Sequence, residues 1–316
     1  MTIDAPTLLH AAALAAGAQQ YPAGTLYVVA TPIGNLADLS LRALHVLALA
    51  DTIACEDTRH TGALLRHLGL DKPLLALHEH NESSAAARIV SLLREGRRVA
   101  YVSDAGTPAI SDPGAALVAA VRQAGLRAVP IPGASSAVAA VSVAGDGRTQ
   151  GFRFVGFLPA KGAERRAALQ AVAAGADQQV LFEAPHRIEN LLAALAEGLA
   201  GREVTVCREL TKQFESVVTL PAAELPAWLA ADPHRARGEF VLVVHALAPE
   251  AARDEGLPGE VMKVLRALLA ELPVKQAVAL AATITGAPRN ALYEAALALR
   301  NDAGRSTPSS GPAGPG

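Results

Sequence analysis

The chain has 316 residues and a formal net charge of −2, and hydrophobic residues make up 51% of it. This length suits two domains with sizeable cores, and the near-neutral charge excludes nucleic-acid binding by bulk electrostatics, so any RNA contact has to depend on local basic patches. Aromatic residues, at 3%, exclude an extended stacking platform for unpaired bases. The two cysteines, Cys55 and Cys207, exclude a disulfide framework and fit a reducing compartment.

Residues 1–23 are interpreted as a flexible N-terminal extension. The segment from Leu8 to Ala16 is apolar, but Asp4 precedes it and no Lys or Arg does, which is unlike a signal peptide. No run in the chain approaches the ~18 apolar residues of a membrane span. We therefore expect a cytoplasmic protein.

Residues 24–147 alternate short β-branched runs with longer helical patterns rich in Ala and Leu. This rhythm predicts βαβ units, and hence an α/β domain with a mainly parallel sheet that binds ligands beyond the carboxyl ends of its strands. The predicted strands are Thr25–Ala30, Thr52–Glu56, Leu74–His78, Val99–Ser103 and Ala128–Ile131, and the predicted helices lie near Leu39–Ala50, Arg59–Leu68, Ser84–Glu95 and Pro113–Ala124.

A Gly-rich polar stretch around Gly145–Gly151 marks a domain boundary, and residues 148–247 are expected to form a second, unlike α/β domain. Its strands follow one another more closely and only some have a helix between them, which favours a mixed sheet. The predicted strands are Phe152–Leu158, Gln179–Glu183, Val204–Leu210, Phe214–Leu220 and Glu239–His245.

Residues 248–302 are predicted to hold a linker and a helical segment. The linker covers 248–258, and the helical patterns are Gly259–Glu271, Val274–Thr285 and Arg289–Arg300. The tail, residues 303–316, is rich in Gly, Pro and Ser and is expected to be disordered, because it has too few apolar side chains to offset the entropy of ordering.

Three loops rich in small residues directly follow predicted strands of the first domain. They are Thr31–Asp38, Ser103–Gly114 and Pro132–Ser136. The chain contains neither G-x-G-x-x-G nor G-x-x-x-x-G-K-[ST], so these loops do not match the common nucleotide fingerprints. Simple turn chemistry is the alternative, but their place at strand ends favours a bound small molecule, with helix amides exposed after Pro132.

Basic residues follow four strand ends of the second domain, within residues 156–166, 182–187, 207–212 and 235–240. One such cluster is more often a solvated face, but four together favour an anionic ligand or polymer. The segment His78–Glu82 lacks the H-E-x-x-H spacing of a metal site, and we expect no bound metal. The segment Glu56–His60 is interpreted first as a helix cap.

Eight segments taken together resemble the ribosomal RNA small-subunit methyltransferase I family, within the tetrapyrrole-methylase-like superfamily. They are ATPIGNLAD, CEDTRHTG, VSDAGTPAISDPG, IPGASS, GFLPAKGAERR, EAPHR, CRELTK and RGEFVLV. The resemblance runs from about Gly24 to Arg300. It implies two unlike α/β domains with S-adenosylmethionine in the cleft between them, a homodimer, and 2′-O-methylation of a decoding-region cytidine in 16S ribosomal RNA of the small ribosomal subunit.

By position, the resemblance also implies a set of cofactor-binding residues. They are Pro32, Gly34, Asp104, Ala105, Gly106, Ile110, Ser135, Ser136, Phe182 and Arg208. Two details depart from the family pattern. Relatives often have F-Y-E-S-P-H-R where this chain has Leu181–Arg187, so a phenol and a hydroxyl are absent, and Cys207 stands where a small residue such as Ala is usual.

Transfer of a methyl group to a ribose hydroxyl is an in-line displacement, helped by alignment and by groups that stabilise the developing alkoxide. The candidates are Asp57, Arg59, Glu183, His186, Arg187, Glu209 and Lys212. Of these, we predict that Arg59, Glu183 and Lys212 line the site, while the identity of a general base stays open. We predict that RNA phosphates are bound by Lys161, Arg165, Arg166 and Arg187.

Two other functions stay open. A tetrapyrrole C-methyltransferase would share the fold, but the basic clusters and the C-terminal helices suit a large polyanion better. A non-enzymatic RNA-binding or assembly module is disfavoured by the intact PIGN, SDAGTP and PGASS loops, because a decayed pocket would tolerate bulkier residues. The fold alone does not determine the substrate.

Overall fold

The computed structural model describes residues 4–78, 81–148, 151–199, 201–247, 257 and 259–305. The chain divides into two compact units, Met1–Ala246 and Leu247–Gly316. The first unit contains two α/β domains and the second is helical. Among the described residues, no helix combines the length and the apolar character needed to cross a bilayer.

The N-terminal segment contains a packed helix where the sequence predicts a flexible extension. Helix α1 (Ala5–Ala16) has a proline in its first turn, and it packs against helix α2 (Leu41–Leu49). Its Ala12 is fully buried and joins the core of the first domain together with Leu8 and Leu9. The sequence does not reveal this packing because alanine, which dominates the helix, occurs both inside and outside proteins.

The first domain has a five-stranded sheet in the order β3-β2-β4-β1-β5. All of its strand pairs are parallel, which confirms the predicted mainly parallel sheet. Helices cover both faces, with α1 to α3 packed on one side and α4 and α5 on the other. The strands are β1 (Thr25–Val29), β2 (Thr52–Cys55), β3 (Leu74–Ala76), β4 (Val99–Val102) and β5 (Arg127–Ile131), and the further helices are α3 (Thr58–His67), α4 (Glu82–Arg94), α5 (Ala115–Gln123) and α6 (Ser136–Ala144).

The second domain has a five-stranded mixed sheet in the order β6-β7-β10-β8-β9, which confirms that prediction. Only β6 and β7 are parallel, because α7 crosses over between them. The elements are β6 (Phe152–Phe157), α7 (Gly162–Ala174), β7 (Gln178–Glu183), α8 (Ile188–Gly198), β8 (Glu203–Arg208), β9 (Ser216–Pro221), α9 (Leu225–Ala230) and β10 (Phe240–Val244).

Strand β8 ends at Arg208, two residues before the predicted end. Glu209 and Thr211 have φ of 53° and 68°, which lie in the left-handed region that non-glycine residues rarely adopt. An extended strand cannot contain such residues. The backbone therefore turns sharply after Arg208, and this turn shapes the site described below.

The second unit consists, in its described part, of α10 (Gly259–Glu271), α11 (Val274–Thr285) and α12 (Arg289–Arg305). These helices share a core of their own around Leu265, Val278 and Leu292. Gly286, with φ of 72°, ends α11 in the left-handed conformation that glycine favours. Helix α12 continues past Arg300 to Arg305, so residues 303–305 of the predicted tail are helical. Residues 306–316 of that tail, and residues 248–256 and 258 of the predicted linker, lie outside the described residues.

Candidate active site

The three loops rich in small residues meet at the carboxyl edge of the first sheet. Thr31 and Gly106 exchange two backbone hydrogen bonds of 2.9 and 3.0 Å, and the Thr107 hydroxyl donates to the Ala134 carbonyl at 3.0 Å. A Cβ atom on Gly133 would lie 2.9 Å from the Cβ atom of Ala30, so this loop needs glycine for its close approach to the sheet. The loops therefore form one connected wall.

A cavity of about 380 Å³, hereafter the first cavity, lies between this wall and the second sheet. Its volume and its largely apolar lining are typical of a site for one small molecule. The first domain contributes Ile33, Ala105, Gly106, Thr107, Ile110, Ser111, Asp112, Ser135, Ser136 and Ala137, and the second contributes Phe157, Phe182, Glu183, Ala184, Pro185, Cys207, Leu210, Glu239, Phe240 and Val241.

The polar groups of the first cavity suit a ligand with a carboxylate at one end and positive charge elsewhere. Ser135 precedes helix α6 and makes no side-chain cap hydrogen bond, so the first amides of the helix lack a side-chain acceptor and suit a carboxylate. Asp112 and Glu183 contribute acidic groups; burial raises the pKa of Asp112, and the nearby Asp104 acts in the same direction. These features fit S-adenosylmethionine.

The second-domain side of the first cavity includes a cluster of aromatic rings and a buried thiol. Phe182 packs edge-on against Phe154 and Phe157, with ring centroids 5.1 and 5.6 Å apart. Burial raises the pKa of the Cys207 thiol to about 12, so this side chain stays neutral. Such a surface suits the flat face of a nucleoside base.

A second cavity, of about 430 Å³, adjoins the first and shares Ile33, Ala105 and Glu239 with it. Its walls are the loop after β1, one side of α3 and the turn after β8. The residues that line it are Thr31, Pro32, Ile33, Gly34, Leu36, His60, Ala63, Leu64, His67, Asp104, Ala105, Lys212 and Glu239. The two cavities therefore have part of their lining in common.

Lys212 is held at the second cavity by two carboxylates. Its Nζ lies 3.0 Å from Glu209 Oε1 and 3.0 Å from Glu239 Oε2. Burial disfavours the charged amine, but the two carboxylates outweigh this effect and raise the pKa of Lys212. Lys212 is therefore a cation at neutral pH, which can stabilise negative charge but is unsuited to accept a proton.

Gly34 permits the close approach of the loop after β1 to Lys212. A Cβ atom at position 34 would lie 2.5 Å from Lys212 Cγ and 3.0 Å from Thr211 Oγ1. The Glu209 side chain also accepts a hydrogen bond from the Glu239 amide at 2.9 Å. The Lys212 side chain is therefore closely surrounded by three segments, which are the loop after β1, the turn after β8 and the segment before β10.

Glu183 is buried at the first cavity and is paired with two arginines. Its Oε1 lies 3.0 Å from Arg187 Nε, and its Oε2 lies 3.6 Å from Arg165 Nη1. Both arginines also donate to main-chain carbonyls at the end of the β6 segment, Arg187 to Leu158 at 2.6 Å and Arg165 to Pro159 at 3.1 Å. Arg165 and Arg187, predicted to bind RNA phosphates, are therefore engaged within the fold, whereas Lys161 and Arg166 are exposed.

Two other predicted site residues line neither cavity. The Arg59 side chain is 90% exposed and pairs with Asp57 at 2.7 Å, where its hydrogen bond holds the pKa of Asp57 well below the ordinary value. Arg208 donates from Nε to the Arg237 carbonyl at 2.6 Å and from Nη1 to the Phe214 carbonyl at 3.2 Å. Arg59 therefore pairs with Asp57, the N-cap residue of α3. Arg208 links the end of β8 to the chain at Phe214 and Arg237.

The other predicted cofactor residues line the two cavities. The first cavity takes Ala105, Gly106, Ile110, Ser135, Ser136 and Phe182, and the second takes Pro32, Gly34, Asp104 and, again, Ala105. Sequence reasoning missed His60, His67 and Glu239. The seven-residue spacing of the two histidines, which places them on one side of a helix, was the available signal for them.

Two family models match the chain. The model for Tetrapyrrole (Corrin/Porphyrin) Methylases covers residues 25–226, and that for the RsmI C-terminal HTH domain covers residues 255–300. The protein named Ribosomal RNA small subunit methyltransferase I in Escherichia coli O157:H7 is 48% identical over 278 residues, which span 87% of this chain and 95% of that protein. The chain belongs to the ribosomal RNA small subunit methyltransferase I family.

Another protein of this name, from Pseudomonas aeruginosa, is 50% identical over 277 residues, which span 87% of this chain and 97% of that protein. Among solved structures, the methyltransferase CobJ matches with a TM-score of 0.54 at 21% identity over 71% of this chain and 95% of its own. Diphthine synthase matches with a TM-score of 0.54 at 18% identity over 70% of this chain and 90% of its own. These similarities confirm the fold. The loops after β1, β4 and β5, which carry part of the resemblance to the family, contribute residues to the lining of the two cavities.

Proposed function

We propose that this protein transfers a methyl group from S-adenosylmethionine to the ribose 2′-hydroxyl of a cytidine in the decoding region of 16S ribosomal RNA, acting in the cytoplasm as a homodimer. The observation that carries the proposal is the 48–50% identity to proteins named for ribosomal RNA methylation, which extends over 95–97% of their length. The exposed Val138 and Val143 on α6 offer apolar surface for a second copy.

In the first cavity, residues of both domains would hold the cofactor. The α6 amides would bind its carboxylate, and Phe182 with the backbone at Ala105 and Gly106 would enclose its nucleoside part. When bound, S-adenosylmethionine supplies an electrophilic methyl group on a positively charged sulfur. Asp112 favours that charge, whereas the charge of Glu183 is offset by Arg165 and Arg187.

Catalysis in this arrangement depends mainly on alignment. A 2′-hydroxyl held at the junction of the two cavities would face the first cavity, so the bound state would already approach the in-line geometry. The cationic Lys212 stabilises the negative charge that develops on the ribose oxygen. Glu239, which lines both cavities, is placed to accept the hydroxyl proton and can release it to solvent, since its side chain is 77% exposed.

A tetrapyrrole substrate is the less favoured alternative. The solved uroporphyrin-III-C-methyltransferase from Thermus thermophilus is 25% identical to this chain, with a TM-score of 0.50, and covers 70% of it. The likeness in fold therefore gives no preference for its substrate.

The proposal is tested by transfer of labelled methyl groups to small ribosomal subunits that lack the modification. We expect label in an alkali-resistant dinucleotide, because a methylated 2′-oxygen cannot attack the adjacent phosphate. Binding of cofactor without label in RNA, across a range of salt concentrations and subunit maturation states, would contradict the proposal.

A further inference from the structure

We infer that the second cavity binds the acceptor nucleoside itself, a pyrimidine nucleoside turned out of the RNA, and that His60 and His67 contact it. This inference rests on the proposed function and specifies where the RNA substrate of that function is held. It also gives a role to two histidines that the sequence motifs alone do not single out.

The second cavity adjoins the first, as an acceptor site requires. An in-line transfer needs the acceptor oxygen about 3–3.5 Å from the methyl carbon, so the acceptor has to share a boundary with the cofactor. The second cavity meets the first at Ile33, Ala105 and Glu239. Its volume of about 430 Å³ leaves room for one nucleoside beside a filled first cavity.

The two cavities differ in charge. The carboxylates that line the first are Asp112, Glu183 and Glu239, of which Glu183 is paired with Arg165 and Arg187, and no cation among the described residues lines it. The second adds the cation Lys212 and two histidines to Asp104 and Glu239. A cationic sulfonium suits the first set, and an RNA segment with its phosphates suits the second better.

One side of α3 faces the second cavity and carries both histidines. His60, Ala63, Leu64 and His67 line the cavity, whereas Thr61 and Leu65 on the opposite side of the helix are buried in the domain. Imidazole rings stack on unpaired bases, and this chain has few other aromatic side chains for that purpose. Leu36, 46% exposed, adds an apolar edge to the same cavity.

Lys212 has a fixed position in the second cavity, beside Glu239, which lines both cavities. The residues Glu209 and Thr211 hold left-handed backbone conformations beside it, and strain of this kind persists where the surrounding structure fixes a functional group. A nucleoside with its base against α3 would direct its ribose toward Lys212 and Glu239. The same two side chains would then bind the 2′-hydroxyl.

A double variant, His60→Ala with His67→Ala, tests the inference. Both histidines are exposed, so their removal leaves the core unchanged. We expect KM for unmodified small subunits to rise at least about tenfold, as the loss of base stacking predicts, with the Kd for S-adenosylhomocysteine changed less than twofold. Arg66→Ala is the matched control, because Arg66 is exposed on α3 but does not line the cavity, and we expect it to change KM less than threefold.

An unchanged KM in the double variant would overturn the inference, and so would an equal rise in Arg66→Ala, which would indicate general charge attraction. A second readout uses the imidazole NMR signals of protein saturated with S-adenosylhomocysteine, assigned by the single His variants. We expect the His60 and His67 signals to shift when a short RNA carrying the target cytidine is added, and unshifted signals would overturn the inference. Failure of the unaltered protein to methylate RNA would instead refute the proposed function, and the inference with it.

Discussion

At the residue scale, Glu183 shows how a motif that resembles a catalytic cluster serves the fold. The carboxylate is buried between Arg165 and Arg187, whose side chains are only 13% and 23% exposed. We expect Glu183→Gln to lower the free energy of unfolding by about 3 kcal/mol, because it leaves two partly buried guanidinium groups without their counter-charge. Urea denaturation measures this, with the exposed Glu197→Gln as control; equal stability of the two variants would contradict the assignment.

His245 predicts a pH dependence of stability. The ring is buried, with Thr205 Oγ1 2.7 Å from Nε2 and Arg148 Nη2 2.8 Å from Nδ1. Burial is the main cause that lowers the pKa of His245, although Asp146 opposes it. The unfolded chain, with a histidine pKa of about 6.5, therefore binds more protons than the folded one as the pH falls, so the free energy of unfolding decreases below about pH 6.5.

We expect His245→Gln to remove part of this decrease between pH 7 and pH 5, and His10→Gln, at an exposed position, to leave it unchanged. Urea titrations at several pH values give the comparison. A pH profile that is identical in all three proteins would show that His245 does not cause the dependence.

Residues on the loops after strands were located better from the sequence than the partners of charged side chains. The resemblance to the family implied Ala105, Gly106 and Ser136 as cofactor residues, and all three line the first cavity, while their binding of cofactor stays a prediction. Arg165 and Arg187 instead turn toward Glu183, and Arg208 turns toward main-chain carbonyls. A sequence shows that an arginine is near a strand end, but only the packed structure shows which acceptor is within its reach.

At the element scale, helix α1 is part of the first domain. We expect Ala12→Glu to lower the free energy of unfolding by about 3 kcal/mol or more, because Ala12 is fully buried in the core and a buried carboxylate there has no partner. Ala13→Glu on the exposed side of the same helix is the control, with an expected change within about 0.5 kcal/mol. Equal, small effects would support a loosely attached extension.

The contact between the loop after β1 and the turn after β8 gives a second prediction at this scale. We expect Gly34→Ala to reduce the rate of methyl transfer at least about tenfold, because the added methyl group would displace Lys212. In Lys212→Ala the same change should add little, since the contact is already gone. Gly198→Ala, at a glycine with open space around it, is the control. Fully additive effects of the two changes would contradict the coupling.

The positions of the elements were largely predictable because β-branched runs and Ala/Leu helices alternate clearly from Thr25 to Val244. The exact ends of the helices and strands were less predictable, because the ends depend on local side chains. Helix α2 begins after Ser40, whose hydroxyl accepts from the Ala43 amide at 3.0 Å, rather than at the predicted Leu39. Strand β8 stops where Glu209 becomes left-handed, which no propensity predicts for a glutamate.

At the scale of the whole molecule, both cavities are built from residues between Thr31 and Val241. The helical unit has its own core, drawn from residues 257–299. We therefore expect a chain of residues 1–247 to bind S-adenosylhomocysteine within twofold of the full protein. Its methyl transfer to small subunits should fall at least about tenfold, because helix-turn-helix units contact nucleic acid. Calorimetry and label transfer check the two parts, and weakened cofactor binding would contradict the division.

In the proposed reaction, a methyl group passes from S-adenosylmethionine in the first cavity to a ribose oxygen of RNA in the second. The most direct measurement is a single-turnover competition, in which protein loaded with labelled cofactor meets unmodified small ribosomal subunits and uroporphyrinogen III together, with excess unlabelled cofactor. We predict that label appears in 2′-O-methylcytidine after complete nuclease digestion and that the porphyrinoid stays unlabelled. Label in the porphyrinoid, or on a nucleobase instead of the ribose, would contradict the account.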